Sequence, residues 1–228
     1  MSSLLVRLSK LAVVTAIVKK AQIAVETLVK DKVIDPDLGS SLARSKGLFI
    51  APDIGPEALI LGGACSGVFM ARPPGSEDWN GPTFYALGGM ASGLKLPGPS
   101  SAIFLLAMTD RGVNAFLSDS IELGDGIRLA AAATADDGAD ILSFAFPRGA
   151  RSSLSLENAV ITACEGLNHA THGRDVTLAD IIIRGTSRST SAAELTRTLI
   201  RLAHRSRETR RRRVSFPRPR PTRAPATR

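Results

Sequence analysis

The residues with the chemistry of a nucleophile are Cys65 and Ser66, inside the run Gly62-Gly63-Ala64-Cys65-Ser66-Gly67. A thiol or hydroxyl needs a neighbouring base to become reactive. The three histidines, His169, His172 and His204, all lie far downstream, so only the fold could bring one to Cys65. The glycines of the run suggest a phosphate loop, but no Lys-Ser/Thr follows and G-x-G-x-x-G spacing is absent. They read instead as points where a strand bends or another backbone approaches closely. The chain has no C-x-x-C, no H-E-x-x-H and no His/Cys cluster, so neither a metal nor a cofactor is expected. His169 and His172, spaced i,i+3, read as surface positions rather than ligands. The two cysteines, Cys65 and Cys164, make no disulfide framework. Cys65 reads as a buried free thiol, and the spacing gives a bond between the two no support. The reading is non-enzymatic.

What remains is the chemistry of charge. Arg7, Lys10, Lys19 and Lys20 lie in one helical stretch with a leucine and valine surface. Each cation held near an anionic surface contributes about 1 kcal/mol, and four contribute about 4 kcal/mol before ordering costs. The alternative is that this helix packs on the rest of the domain, because Leu11 to Val18 is apolar nearly all round. Trp79, in D-W-N-G-P-T-F, has two readings. Its indole packs at the rim of a core with a partner for its N–H, or it sits at a membrane interface. The far end of the chain is basic: residues 184–228 hold 14 Arg and two Glu, a net +12, whereas residues 1–183 carry −4. Such a tail binds anionic membrane or nucleic acid without specificity. No aromatic stacking platform accompanies it, since Phe216 stands alone.

The elements that position these groups are legible in outline. The chain has 228 residues and is 44% hydrophobic but only 4% aromatic, so a core packed mainly by aliphatic side chains is expected. Residues 3–20 read as a helix and Ala21 to Val33 as a second one, broken by Asp35-Pro36. Arg7 and Lys10 before the apolar run resemble the start of a signal peptide, but Lys19-Lys20 follow directly. An uncleaved helix is the preferred reading, with a cytoplasmic or peripheral-membrane location over export. The run is also too short to cross a membrane. Leu38 to Ser45 reads as a short helix. After Gly47 the pattern switches to strands: Leu48–Ala51, Ala58–Arg72, Thr83–Gly89, Ala91–Leu96 and Ser101–Met108, the last apolar on both faces. Asp110–Leu117 reads as a helix. Ile121–Leu123 and Ile127–Ala133 flank Gly124-Asp125-Gly126 as a hairpin, and Ile141–Phe146 with Ser152–Leu156 form another. Thr177 caps a helix to Ile183, with Asp180 completing a capping box. Leu195, Leu199 and Leu202 keep helical spacing within 191–204, and beyond them the Arg/Pro-rich segment is expected to be disordered.

Several motifs occur together in a recognisable order. They are A-R-S-K-G-L-F-I-A-P from Ala43, I-L-G-G-A-C-S-G-V-F-M-A-R ending at Arg72, and W-N-G-P-T-F-Y-A-L-G-G-M-A-S-G-L from Trp79. The strand A-I-F-L-L-A-M-T-D follows, then Ser155-Leu156-Glu157, and last Asn168 to Gly185, N-H-A-T-H-G-R-D-V-T-L-A-D-I-I-I-R-G. This pattern resembles the SYLF domain family over roughly residues 20 to 185. The sequence departs from the family at Lys95, where Gln is usual, at Asn158, where Gly is usual, and in a shorter stretch between Ala130 and Ala139. The resemblance implies a lipid-binding domain of envelope-associated or actin-patch proteins, with an anionic phospholipid or phosphoinositide as ligand.

The expected architecture is α+β. N-terminal helices pack on a strongly bent, mostly antiparallel, barrel-like sheet of eight to ten strands, over residues 1–185. Residues 186–228 form a mostly disordered basic tail. The expected partner is an anionic lipid or membrane surface, met by Arg7, Lys10, Lys19, Lys20 and Trp79. A protein partner of actin or scaffold type is the alternative, and nucleic acid would be met only through the tail.

Overall fold

The computed structural model describes residues 2–30, 36–54, 66–88, 101–131, 138–146, 156, 159–187 and 189–215. Helix α1 spans Ser2–Lys30 and α2 spans Pro36–Arg44. Strands β1 (Gly47–Ile54), β2 (Gly67–Ala71), β3 (Asn80–Gly88) and β4 (Ser101–Ala107) follow. Next come α3 (Asp110–Ala115), β5 (Ser120–Glu122), β6 (Leu129–Ala131), β7 (Ile141–Phe146) and β8 (Val160–Ala163). The chain closes with α4 (Glu165–His172), a π-helical turn (Asp180–Arg184) and α5 (Ala193–Ser215). The first stretch is one helix, not the two expected: nothing between Lys20 and Ala21 interrupts it. Among the described residues no helix is long and apolar enough to cross a membrane. The expected strand at Ala91–Leu96, the arm Ser152–Ser155 and the tail beyond Ser215 lie outside the described residues.

The eight strands form one curled sheet in the order β5-β8-β3-β2-β1-β4-β7-β6. Every pairing is antiparallel except β6 with β7. The α+β reading with a bent, mostly antiparallel sheet therefore holds. The hairpin expected around Gly124-Asp125-Gly126 does not form. β5 pairs with β8 and β6 with β7, at opposite edges of the sheet. A turn-forming tripeptide reverses the chain, but partners are chosen by burial. Ile121 is buried beside Ile161 of β8, its cross-strand partner.

Alternation along the strands builds two apolar layers. Leu48, Ile50, Val68, Met70, Phe84, Phe104 and Leu106 face the helices. Phe49, Phe69, Tyr85, Ile103 and Leu105 face the opposite layer, closed by Phe116, Leu123, Leu156 and Ile182. The central strand β4 is thus covered on both faces, as its unbroken apolar run implied. In the second layer Phe69 stacks on Phe116 with ring centres 3.9 Å apart. Tyr85 meets Phe116 edge-on at 5.5 Å and donates its hydroxyl to the Phe116 carbonyl at 2.5 Å. Burial raises the Tyr85 pKa, so this phenol stays protonated.

Two devices tie helices to the sheet. Asn168 of α4 accepts the Phe84 N–H at 2.8 Å and donates to the Phe84 carbonyl at 3.3 Å. Its buried amide acts as a strand partner for β3. Asn168→Leu strands a buried donor, so a loss of about 2 kcal/mol is expected in a denaturant melt; an unchanged midpoint would remove the amide from the account. The second device caps α3. Thr109 accepts the Gly112 N–H at 3.1 Å and donates to Asp140 at 2.7 Å. Burial pushes the Asp140 carboxyl up, but the Thr109 hydroxyl, the Arg128 N–H and two guanidinium charges outweigh it and hold the pKa below its ordinary value.

The packing does not end at residue 185. Leu195, Leu199 and Leu202 of α5 are buried in the helical layer. The helix expected from their spacing is present, and it belongs to the packed body.

Candidate functional site

α1 carries all four cations singled out in the sequence, and it has two parts. From Val14 onward it is a core element: Val14, Ile17, Val18, Ala21 and Val25 are buried, at the spacing of one helix face. Before Val14 the helix is exposed from Leu4 to Ser9, with Lys10 and Leu11 half-buried. Leu4 and Leu5 are each 65% exposed, Val6 50% and Leu8 54%. Arg7 lies exposed among them. Lys10 sits one turn on and reaches α4: a Cβ added at Gly166 would stand 2.9 Å from its Nζ. Lys19 is exposed. Lys20 pairs with Asp53 at 2.8 Å, both side chains about half in solvent. At 1.5 Å per residue, Lys19 and Lys20 lie roughly 14–20 Å along the axis from Lys10 and Arg7. The structure thus joins Arg7 and Lys10 with the exposed leucines and leaves Lys19 and Lys20 apart.

Trp79 is placed elsewhere. It is only 3% exposed and belongs to the helical core layer. The Arg72 guanidinium covers it at 4.5 Å from the ring centre. Its indole nitrogen is buried without a hydrogen-bond partner among the described residues. The rim position expected for this ring is filled by Arg72.

Among the described residues no histidine bonds Ser66, whose buried hydroxyl has no hydrogen-bond partner there. His172 bonds Ser187 at 2.8 Å through Nδ1 and the Pro82 carbonyl at 2.7 Å through Nε2. Burial lowers its pKa, so the neutral ring joins α4 to the start of β3. It is half-buried rather than a plain surface position. His169 faces Glu165 at 3.8 Å and His204 faces Glu77 at 3.9 Å. Among the described residues no cluster could hold a metal ion. Cys164 is disulfide-bonded, a bond that the spacing alone did not support; Cys65 lies outside the described residues. The capping box is formed in full: Thr177 accepts the Asp180 N–H at 3.2 Å, and Asp180 accepts the Thr177 N–H at 3.0 Å. The Thr177 bonds and then Arg184 lower the Asp180 pKa to about 2.

Sequence reasoning missed a cleft of about 540 Å³ at the end of the sheet where β1 begins and β2 ends. Arg44, Lys46 and Arg72 supply its cations. Arg72 is fixed by hydrogen bonds to the Ala43 and Leu42 carbonyls at 3.0 and 3.4 Å, closing the C-terminus of α2. Lys46 pairs with Asp110 at 2.7 Å. Val113, Ile182 and Ile183 form an apolar wall. The only local signal was the turn Pro73-Pro74-Gly75, which forms one side. The antiparallel register Gly47↔Ala71 makes Lys46 and Arg72 neighbours.

Residues 88–202 match the family model Ysc84, described as "Las17-binding protein actin regulator". The chain belongs to the Ysc84 family. The match runs through β4, β7, β8, α4 and the packed part of α5, which agrees with α5 as part of the domain. Curated relatives point the same way. SH3 domain-containing YSC84-like protein 1 from Bos taurus, Pongo abelii and Homo sapiens is in each case 24% identical over 175 residues. Those residues cover 72% of this chain and 50% of each relative. The chain therefore spans about half the length of the curated relatives it matches. The family is one of protein-binding, actin-associated modules, and its description is that of a binding protein rather than a catalyst.

Proposed function

We propose that this Ysc84-family domain is a non-enzymatic module that docks on an anionic membrane surface through the first turns of α1. The observation that carries the reading is the set Leu4, Leu5, Val6 and Leu8, at least half exposed, around Arg7 and next to Lys10. A helix end with bare leucines beside cations has two ways to gain free energy at a membrane. The leucines leave water, and the cations meet anionic headgroups. Lys19 and Lys20, farther along the same helix and apart from this end, add attraction only where the helix lies along the surface. Trp79, buried beneath Arg72, takes no part in this surface. A phosphoinositide is one anionic lipid that would satisfy this surface.

Vesicle co-sedimentation tests it. In a chain ending at His204, which lacks the arginine-rich tail, changing Arg7, Lys10, Lys19 and Lys20 all to Glu should lower binding to phosphatidylserine vesicles at low salt by well over tenfold, since about 4 kcal/mol of attraction is removed. The thermal midpoint should move little, because surface substitutions shift stability by roughly 0.5 kcal/mol. Retained binding would sink the reading. The second reading is a protein-scaffold or actin-type module. It is favoured by the family description and would show binding to a protein partner without vesicles.

A further inference from the structure

We propose that the cleft at Arg44, Lys46 and Arg72 is a docking site for an acidic peptide segment of a protein partner, one carrying an aliphatic side chain beside its carboxylates. Among the described residues none of α1 lines this cleft, so the site is separate from the membrane-facing surface and stands whether or not that reading does.

Three observations define the occupant. The first is the charge. Arg72 is held over Trp79 and tethered to two carbonyls, so its position costs a ligand no ordering. Arg44 is exposed at the end of α2. Lys46 holds Asp110 only in an exposed pair, with side chains 44% and 75% in solvent. Solvent screens such a pair, and an incoming carboxylate can replace Asp110 at little cost. The second is the wall. Val113, Ile182 and Ile183 are apolar, and Ile183 is 48% exposed. A cleft of about 540 Å³ is larger than a lone phosphate or carboxylate fills, and the wall gives an aliphatic side chain a place to leave water. The third is the surrounding field. α5 passes beside this cleft, where His204 faces the rim residue Glu77 at 3.9 Å. The next nine positions, 205–213, hold six Arg and one Glu, and the helix runs on to Ser215. Arginines that follow directly in the chain on the His204 contact add to the positive field that acidic partners meet.

The test uses the full chain and a short fluorescein-labelled peptide alternating glutamate with leucine, read by anisotropy at about 0.15 M salt, where distant charges are screened. Arg44→Glu with Lys46→Glu should weaken binding about tenfold or more. Asp110→Asn frees Lys46 from its competitor and should tighten binding about threefold. Asp175→Asn, which removes an exposed carboxylate that does not line the cleft, should leave binding unchanged. Ile183→Asp should weaken the alternating peptide more than an all-glutamate peptide. Superimposable circular-dichroism melts keep folding out of the comparison. Wild-type affinity in the double variant would overturn the proposal. So would equal shifts from Asp110→Asn and Asp175→Asn, which would assign the binding to net charge and the arginine helix. Loss of phosphatidylserine-vesicle binding in the double variant, with peptide binding intact, would make the cleft a lipid site and overturn it as well.

Discussion

Val14→Asp is expected to abolish the cooperative thermal melt at ordinary temperatures. Val14 is 1% exposed, in the stripe that seats α1 on the sheet. The change removes a buried valine, worth about 1.5–3 kcal/mol. It also places a carboxylate where nothing pairs it, at a further cost of several kcal/mol. Together these approach the whole stability of a typical domain. Leu5→Asp is the informative contrast. Leu5 is 65% exposed, so its melt should shift by roughly 0.5 kcal/mol or less, while vesicle binding should fall. A wild-type melt for Val14→Asp would mean that α1 is not docked in solution. Equal damage from both changes would mean that the first turns are packed as well. The pair thus separates the structural half of the helix from the half assigned to the membrane.

Gly67→Ala is the second large effect. A Cβ at this position would lie 2.2 Å from Cζ and 2.3 Å from Cε2 of Phe49. Phe49 cannot yield easily. It is fully buried, with Phe116 at 5.9 Å and Tyr85 at 6.3 Å between ring centres. Overpacking of this kind costs about 1–3 kcal/mol, and more where the neighbour is held. The expected melt of Gly67→Ala is therefore at the upper end of that range or beyond. The cause is tested with Phe49→Leu, which shortens the clashing side chain. In the double variant the two losses should add to less than their sum, by about 1 kcal/mol or more. Strict additivity would mean that the glycine is needed for some other reason. Gly47 does the same service for Phe69, whose Cζ would lie 2.7 Å from an added Cβ. The glycines at the strand ends thus mark where a phenyl ring from the next strand crosses the backbone.

Some of this could be read from the chain alone. Thr177 and Asp180 are close in sequence, and a capping box depends only on local geometry, so their reciprocal bonds were foreseeable. The unbroken apolar run of β4 could be satisfied only by burial on both faces. The glycines signalled close approach, though not which rings approach. The family motifs pointed to the fold and to the family. Elsewhere the sequence supplied a period but no partner. Leu195, Leu199 and Leu202 announced a helix; only the packed structure shows that they face the helical core layer and carry the domain past residue 185. On α1 the stripe that packs is Val14, Ile17, Val18, Ala21 and Val25, although Leu4, Leu8 and Leu11 are equally apolar at helical spacing. A helix that is apolar nearly all round does not declare which side is covered.

Strand pairing was decided at long range. Gly124-Asp125-Gly126 favours a turn, but β5 pairs with β8 and β6 with β7, because a two-stranded ribbon alone is only marginally stable. Trp79 is covered by Arg72 rather than left at a surface, a contact made possible by the turn between them. The cleft is the clearest case. Lys46 and Arg72 are far apart in the chain and become neighbours because Gly47 pairs with Ala71. Local residue types determine caps, bends and periods through short-range sterics and hydrogen bonding. Which faces meet, and so where charges gather, depends on register, and register is set by the burial of the whole sheet.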